Sequence, residues 1–200
     1  MKKNIYYSLL ISAMVSVSAA EETRQVDKHE HGVGELNIAI EGNAIDFEFF
    51  IPGADIVGFE YEAKTESDIA LVNAALEKFG NFDNIFSLPE SSNCNLVNSE
   101  IGVNQDDGHD DHDDHDEHDE HDEHDDHDEH DDHDEEAHNE FVAHYSFNCE
   151  NIKEIDRISF PYFTNFPNSG ELEVQFVSEK GSTGFEVEGD EPFIDLKGKI

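Results

Sequence analysis

A histidine recurs at every third position from His109 to His133, and every residue between these histidines is Asp or Glu. This stretch offers no apolar side chain for burial, and a helix would place like charges three and four residues apart on every face. We therefore expect residues 104–138 to form a long disordered His/Asp/Glu-rich insertion. The nine regularly spaced histidines are His109, His112, His115, His118, His121, His124, His127, His130 and His133.

The ligand chemistry of residues 106–136, which we call the His/acid run, indicates transition metals. Imidazole suits Zn²⁺, Cu²⁺ and Ni²⁺, whereas carboxylates alone suit Ca²⁺ and Mg²⁺. On an extended polyproline-II chain, histidines three apart would lie about 9 Å from each other, too far to share one ion. The chain must therefore bend around each metal, which predicts many equivalent ligand sets. Binding should fail as the pH falls through roughly 6.5, where imidazole is protonated. The alternative is a solvated linker with incidental histidines.

The amino terminus has the three parts of a secretory signal. Lys2 and Lys3 precede the apolar stretch 5–17, and small residues follow up to Ala20. We predict that residues 1–20 are removed by cleavage after Ala20 and that the protein is exported. An uncleaved membrane anchor is the alternative, but a spanning helix needs roughly 20 apolar residues.

Residues 21–200 are then expected to form a single metal-binding domain that is not inserted in a membrane. The formal net charge of the whole chain is −39. Such a field repels nucleic acid and attracts cations, which argues against a nucleic-acid partner.

Two cysteines, Cys94 and Cys149, flank the His/acid run. In an exported protein the simplest interpretation is one disulfide. The alternative, a pair of metal-binding thiolates, lacks a CxxC spacing. A disulfide here would clip the insertion at its base, and closing a loop of that length contributes about 4 kcal/mol in the chain-entropy model.

Alternating apolar residues predict several strands. Leu36, Ile38 and Ile40, a turn at 41–44, and then a second alternation predict a β-hairpin over Gly34–Ile51. Further strands are expected at 94–103, at 140–149, around Leu172 to Phe176, and at Phe185 to Val187 after a turn at 180–183.

One segment has helical periodicity. Thr65 begins a capping-box-like start, and Gly80 supplies a stop, which predicts a helix over Glu66–Phe79. A core-facing stripe is expected from Ile69, Val72, Leu76 and Phe79. The fold class is therefore α+β, with mostly antiparallel β-sheet and one main helix.

Four histidines lie outside the regular spacing: His29, His31, His138 and His144. His29 and His31 are two residues apart, so they point the same way on an extended chain. If the strand ends that bear these histidines are neighbours, three or four nitrogens could hold an ordered zinc ion. Spare oxygens could come from Glu30, Glu60 or Glu140. Alternatively, the first pair belongs to a frayed terminus and His144 is a surface residue.

Four segments resemble a known family: HEHGVGELNIAIEGN, VGFE with the helix that follows it, FSLPESSNCNL and HNEFVAHYSFNC. Together they are similar to the ZrgA family of periplasmic zinc-binding proteins, over roughly His29 to Leu196. The resemblance implies a periplasmic location, zinc as the cargo, and delivery to inner-membrane zinc transporter components. Relatives often read GFEH where this chain has Gly58-Phe59-Glu60-Tyr61, so no ligand role is transferred to Tyr61.

Enzyme motifs such as HExxH, GxSxG and CxxC are absent from the sequence, and we expect no catalytic activity. The favoured function is that of a monomeric protein that captures Zn²⁺ for an uptake system. The alternative is a periplasmic buffer against excess zinc, copper or nickel. A calcium-dependent adhesion module would not need the histidines.

Overall fold

The computed structural model describes residues 32–105 and 138–200. The predicted signal peptide, His29, His31 and the nine histidines of the His/acid run lie outside these residues. Within the described part, no helix is long and apolar enough to cross a membrane.

A six-stranded sheet organises the described residues, and its strands lie in the order β3-β4-β2-β1-β6-β7. All neighbouring pairs are antiparallel except β1 and β6, which are parallel. A second, two-stranded sheet pairs β5 with β8. The strands are β1 (Val33–Glu41), β2 (Ala44–Pro52), β3 (Cys94–Gln105), β4 (Asn139–Cys149), β5 (Arg157–Ser159), β6 (Glu171–Ser178), β7 (Gly181–Glu188) and β8 (Phe193–Asp195).

Helical structure is sparse, which confirms the predicted α+β class with one main helix. The helices are α1 (Gly53–Val57), α2 (Glu66–Phe79) and α3 (Tyr162–Asn165), with short 3₁₀ turns at Phe82–Asn84, Glu90–Ser92 and Ile152–Glu154.

The β1–β2 hairpin is confirmed. Its strands pair from Glu35 with Phe50 to Glu41 with Ala44, and Gly42 in the turn has a φ of +59°. That backbone conformation favours glycine, which explains the turn position. The β6–β7 turn is shorter than predicted: Ser178 pairs with Gly181, so the strand begins inside the stretch 180–183 that was expected to be a turn.

Aromatic side chains fill the core between the inner face of the sheet and the segments that cover it. Phe47 of β2 stacks on Phe86 at 4.0 Å between ring centroids. The Tyr145 hydroxyl donates to the carbonyl oxygen of Phe79 at 2.6 Å, and burial raises the pKa of this phenol. The alternating burial along β4 confirms that Phe141, Ala143, Tyr145, Phe147 and Cys149 share the inner face.

Helix α2 begins and ends as predicted, because the Thr65 hydroxyl accepts from the Asp68 amide at 3.2 Å and Gly80 follows its last turn. The predicted stripe is wrong at Ile69, which is 45% exposed. The buried face centres on Ala75 and Phe79, and at 3.6 residues per turn Ile69 lies about 100° from that centre. Val72 and Leu76 are partly buried against the core.

The disulfide between Cys94 and Cys149 is present, but its predicted place at the base of the insertion is wrong. Strands β3 and β4 pair along their whole length, from Cys94 with Cys149 to Gln105 with Asn139. The base of the insertion is therefore the second of these pairs, roughly 30 Å along the strands from the disulfide. Strand β3 also extends to Gln105, into the segment that was expected to begin the insertion at residue 104.

Candidate metal centre

Four chain segments meet at one end of the large sheet, which we call the His138 end: β1 begins, β2 ends, β3 ends and β4 begins there. Strands β1 and β4 lie on either side of β2, since Phe50 pairs with both Glu35 and Val142. Neighbouring strands are about 4.8 Å apart, so the starts of β1 and β4 are separated by roughly 10 Å. The start of β1, which follows His31 in the chain, is therefore close to the start of β4, which follows His138. Strand β2 lies between them.

His138 is the predicted ligand that the structure describes at this end. Its Nδ1 lies 2.8 Å from Oε2 of Glu60, and the His138 side chain is 51% exposed while that of Glu60 is only 14% exposed. A mostly buried carboxylate on Nδ1 holds the ring in one orientation and leaves Nε2 as the nitrogen for an ion. Metal-binding histidines commonly have such a carboxylate on the second ring nitrogen. Glu60 was expected as a spare oxygen ligand, and this contact favours a supporting role instead.

Asn139 attaches the Glu60 segment to the start of β4. Its backbone amide donates to the Glu60 carbonyl oxygen at 2.8 Å, and its side-chain amide donates to the Tyr61 carbonyl oxygen at 3.0 Å. The residue is only 3% exposed. Two hydrogen bonds from the buried Asn139 therefore fix the position of the Glu60 backbone relative to His138. No spacing in the sequence predicted this role of Asn139.

The turn from β2 into α1 leaves no space for a side chain at Gly53. A Cβ atom there would lie 1.5 Å from Oδ1 of Asn139 and 2.7 Å from the carbonyl oxygen of Phe59. We expect Gly53→Ala to lower the free energy of unfolding by about 1–3 kcal/mol, as overpacking typically does. Urea denaturation measures this change. Gly102→Ala is the matched control, because nothing lies within 4 Å of the Cβ position there; equal losses in both variants would contradict the expectation.

The start of β1 is held by another buried residue, Asp55 of helix α1. The Gly32 amide donates to Oδ1 of Asp55 at 2.9 Å, and Asp55 is 3% exposed. The Gly32 carbonyl oxygen in turn accepts from the amides of Gly170 and Glu171. Burial raises the pKa of the Tyr162 phenol, and the nearby Asp55 carboxylate raises it further. Both the amide and the carbonyl oxygen of Gly32 are therefore hydrogen-bonded. Gly32 directly follows His31 in the chain.

His144 is not brought together with His138. It lies six residues further along β4, about 20 Å away at the usual rise per residue. Its partners across the neighbouring strands are Glu48 and Glu100, on the outer face of the sheet. One ion cannot bind both His138 and His144. The prediction that all four histidines could contribute to one ordered site is therefore wrong.

A model described as ZrgA family zinc uptake protein matches residues 28–196. The chain belongs to this family. A search of curated proteins found no match. The ZrgA match confirms the resemblance seen in the sequence and supports a role in zinc uptake.

The described part of this ZrgA family member contains no complete cluster of candidate metal ligands. Within residues 32–105 and 138–200, no group of three or more His, Cys, Asp or Glu side chains is arranged to hold an ion. Tyr61 is 56% exposed, and its ring stacks on that of Phe59 with 4.6 Å between the centroids. His29 and His31, which precede Gly32 in the chain, lie outside the described residues.

Proposed function

We propose that this protein is a periplasmic zinc-binding protein that captures Zn²⁺ and passes it to inner-membrane zinc transporter components. The observation that supports capture best is the contact between His138 Nδ1 and Glu60 Oε2 at 2.8 Å. It orients one imidazole at the sheet end where β1 begins, and β1 follows His29-Glu30-His31 closely in the chain. Membership of a zinc uptake family supports zinc as the cargo.

The proposed ordered site consists of His29, His31 and His138, with Glu60 supporting His138. Three imidazoles suit Zn²⁺, and a site with only three protein ligands keeps a fourth position for water or an incoming group. Such an open position is useful to a protein that must release its ion again. In this proposal, His144 does not belong to the ordered site.

The His/acid run is the second part of the proposal. It begins directly after Gln105, the last residue of β3, and ends two residues before His138, which precedes β4. Gln105 pairs with Asn139 at this end of the sheet. Ions collected by the run would therefore be concentrated beside the ordered site. We propose that the nine histidines bind Zn²⁺ weakly and in many combinations, while the ordered site binds it tightly.

A periplasmic buffer against excess metal is the second candidate, because it would use the same ligands. The family match to zinc uptake favours the first candidate. Growth separates the two: deleting the gene should slow growth in zinc-depleted medium and not in medium with excess zinc. The opposite pattern would favour buffering. We further propose that the protein acts as a monomer and by binding rather than by catalysis.

A calorimetric zinc titration tests the two-part model on full-length mature chains, with millimolar calcium present to occupy carboxylates. The chain with all nine histidines of the His/acid run replaced by glutamine, which we call the nine-Gln chain, keeps the length and charge of the run. We expect it to retain one tight site and to lose the weaker ones. Loss of all zinc binding would make the folded part a scaffold only and would contradict an ordered site.

A further inference from the structure

Asn139, the first residue of β4, is hydrogen-bonded to the segment that carries Glu60. Its backbone amide donates to the Glu60 carbonyl oxygen at 2.8 Å, and its side-chain nitrogen donates to the Tyr61 carbonyl oxygen at 3.0 Å. Residues 59–64 belong to no helix or strand, so regular secondary structure does not place these carbonyl oxygens. The residue that follows His138 therefore attaches the segment whose carboxylate contacts His138.

The side-chain oxygen of Asn139 is buried without a donor. The residue is 3% exposed, and none of the described residues donates a hydrogen bond to its Oδ1. This oxygen lies against Gly53, where a Cβ atom would be only 1.5 Å away. A buried polar atom without a partner costs free energy, and an apolar side chain of similar shape would avoid that cost. What an apolar side chain could not supply is the donor to the Tyr61 carbonyl oxygen.

We propose that Asn139 is a positioning residue for zinc binding: its side chain raises the zinc affinity of His138 by holding Glu60 against Nδ1. This inference rests on the proposed function. With a carboxylate at 2.8 Å, Nδ1 carries the proton, and Nε2 keeps the lone pair that a metal ion needs. Without the hydrogen bond to Tyr61, more positions are open to Glu60, and the imidazole loses its fixed orientation and its preferred tautomer.

The competing explanation is that Asn139 stabilises only the fold. Asn151 provides a matched control, because its backbone amide donates to the Ser92 carbonyl oxygen at 3.0 Å and its side-chain nitrogen donates to the Ser91 carbonyl oxygen at 3.1 Å. These two hydrogen bonds have the same pattern as those of Asn139. Asn151 follows β4 at the end of the strand opposite His138, so its loss should not affect a site there.

All variants are made in the nine-Gln chain, and zinc affinity is measured by competition with a chelator. We expect Asn139→Ala to weaken binding about tenfold, at the lower end of the range for loss of a residue that supports a metal ligand. In a chain that also carries Glu60→Ala, the same substitution should change the affinity by less than about twofold, because the contact through which it acts is already gone. Asn151→Ala should stay within about twofold of the parent.

A second readout needs no metal. The ¹⁵N chemical shifts of the imidazoles report which ring nitrogen carries the proton, and the spectrum of His138→Gln identifies the signals of His138. At a pH of about 9, above the ordinary imidazole pKa, we expect the Nδ1–H form in the parent and a larger share of the Nε2–H form in Asn139→Ala. Asn151→Ala should leave these shifts unchanged.

Three outcomes would overturn the inference alone: no greater loss of affinity in Asn139→Ala than in Asn151→Ala, an equal loss with and without Glu60→Ala, or an unchanged His138 tautomer in Asn139→Ala. The thermal midpoint without metal checks the fold of each variant. If Asn139→Ala does not fold, Asn139→Ser replaces it, because the serine side chain is polar but one bond too short to take the place of the amide nitrogen.

Failure of the proposed function gives a different result. Absence of a tight site from the nine-Gln chain, or a tight site that His138→Gln leaves unchanged, would overturn the proposed function and this inference together. A tight site that is sensitive to His138→Gln and Glu60→Ala but not to Asn139→Ala would overturn the inference and leave the proposed function standing.

Discussion

Replacing His138 with glutamine in the nine-Gln chain should weaken tight zinc binding by more than about 100-fold. Loss of a residue that only supports a ligand typically costs roughly 10–100-fold in affinity, and loss of the ligand itself should exceed this. The side chain is half exposed at the sheet end, so its removal should leave the fold intact. Chelator competition gives the affinity, and the thermal midpoint without metal checks the fold.

Glu60→Gln should weaken zinc binding, but by less than His138→Gln. The amide oxygen of glutamine can still accept a hydrogen bond from Nδ1, although it lacks the negative charge of the carboxylate. His144→Gln is the matched control: it also removes an imidazole from β4, about 20 Å along the strand from His138. Tight binding should be unchanged in that control. If His144→Gln weakens binding as much as His138→Gln, the assignment of the site to the His138 end is wrong.

Removing the disulfide should produce the largest loss of stability. Cys94 and Cys149 are 55 residues apart in sequence, and the chain-entropy model gives about 4 kcal/mol for a loop of this length. We expect the Cys94→Ala and Cys149→Ala double variant to lose about 2–5 kcal/mol in free energy of unfolding, measured by urea denaturation of zinc-free protein.

Reduced wild-type protein is the control for this variant, because it breaks the crosslink without leaving the smaller side chains at a site where Cys149 is fully buried. Similar losses in the two samples would assign the effect to the crosslink. The disulfide lies at the end of the β3–β4 ladder opposite His138. The folded fraction of either sample should therefore bind zinc with unchanged affinity, and a large loss of affinity would contradict this separation.

Much of the fold was predictable because local periodicity and turn chemistry agree with the tertiary structure. The alternation in β1, β2 and β4 predicted their inner faces, and Thr65 with Gly80 predicted the ends of α2. The paired cysteines predicted their own disulfide. These features depend on neighbouring residues or on the chemistry of one residue type, so no knowledge of the sheet order was needed.

Other features depend on which strands become neighbours, and local patterns do not contain that information. The parallel pairing of β1 with β6 joins strands more than a hundred residues apart in the chain. The exposure of Ile69 follows from which face of α2 meets the sheet. The position of the disulfide relative to the insertion follows from the full-length pairing of β3 with β4.

The candidate site divides in the same way. The sequence by itself predicted the ligand types, the transition-metal preference and His138 as a candidate, because imidazole and carboxylate chemistry follows from residue identity. Only the tertiary structure decided that His144 lies far from His138, that Glu60 orients the His138 ring, and that Asp55 and Asn139 hold the two strand starts. These are distances between residues remote in the chain, and they exist only once the sheet has formed.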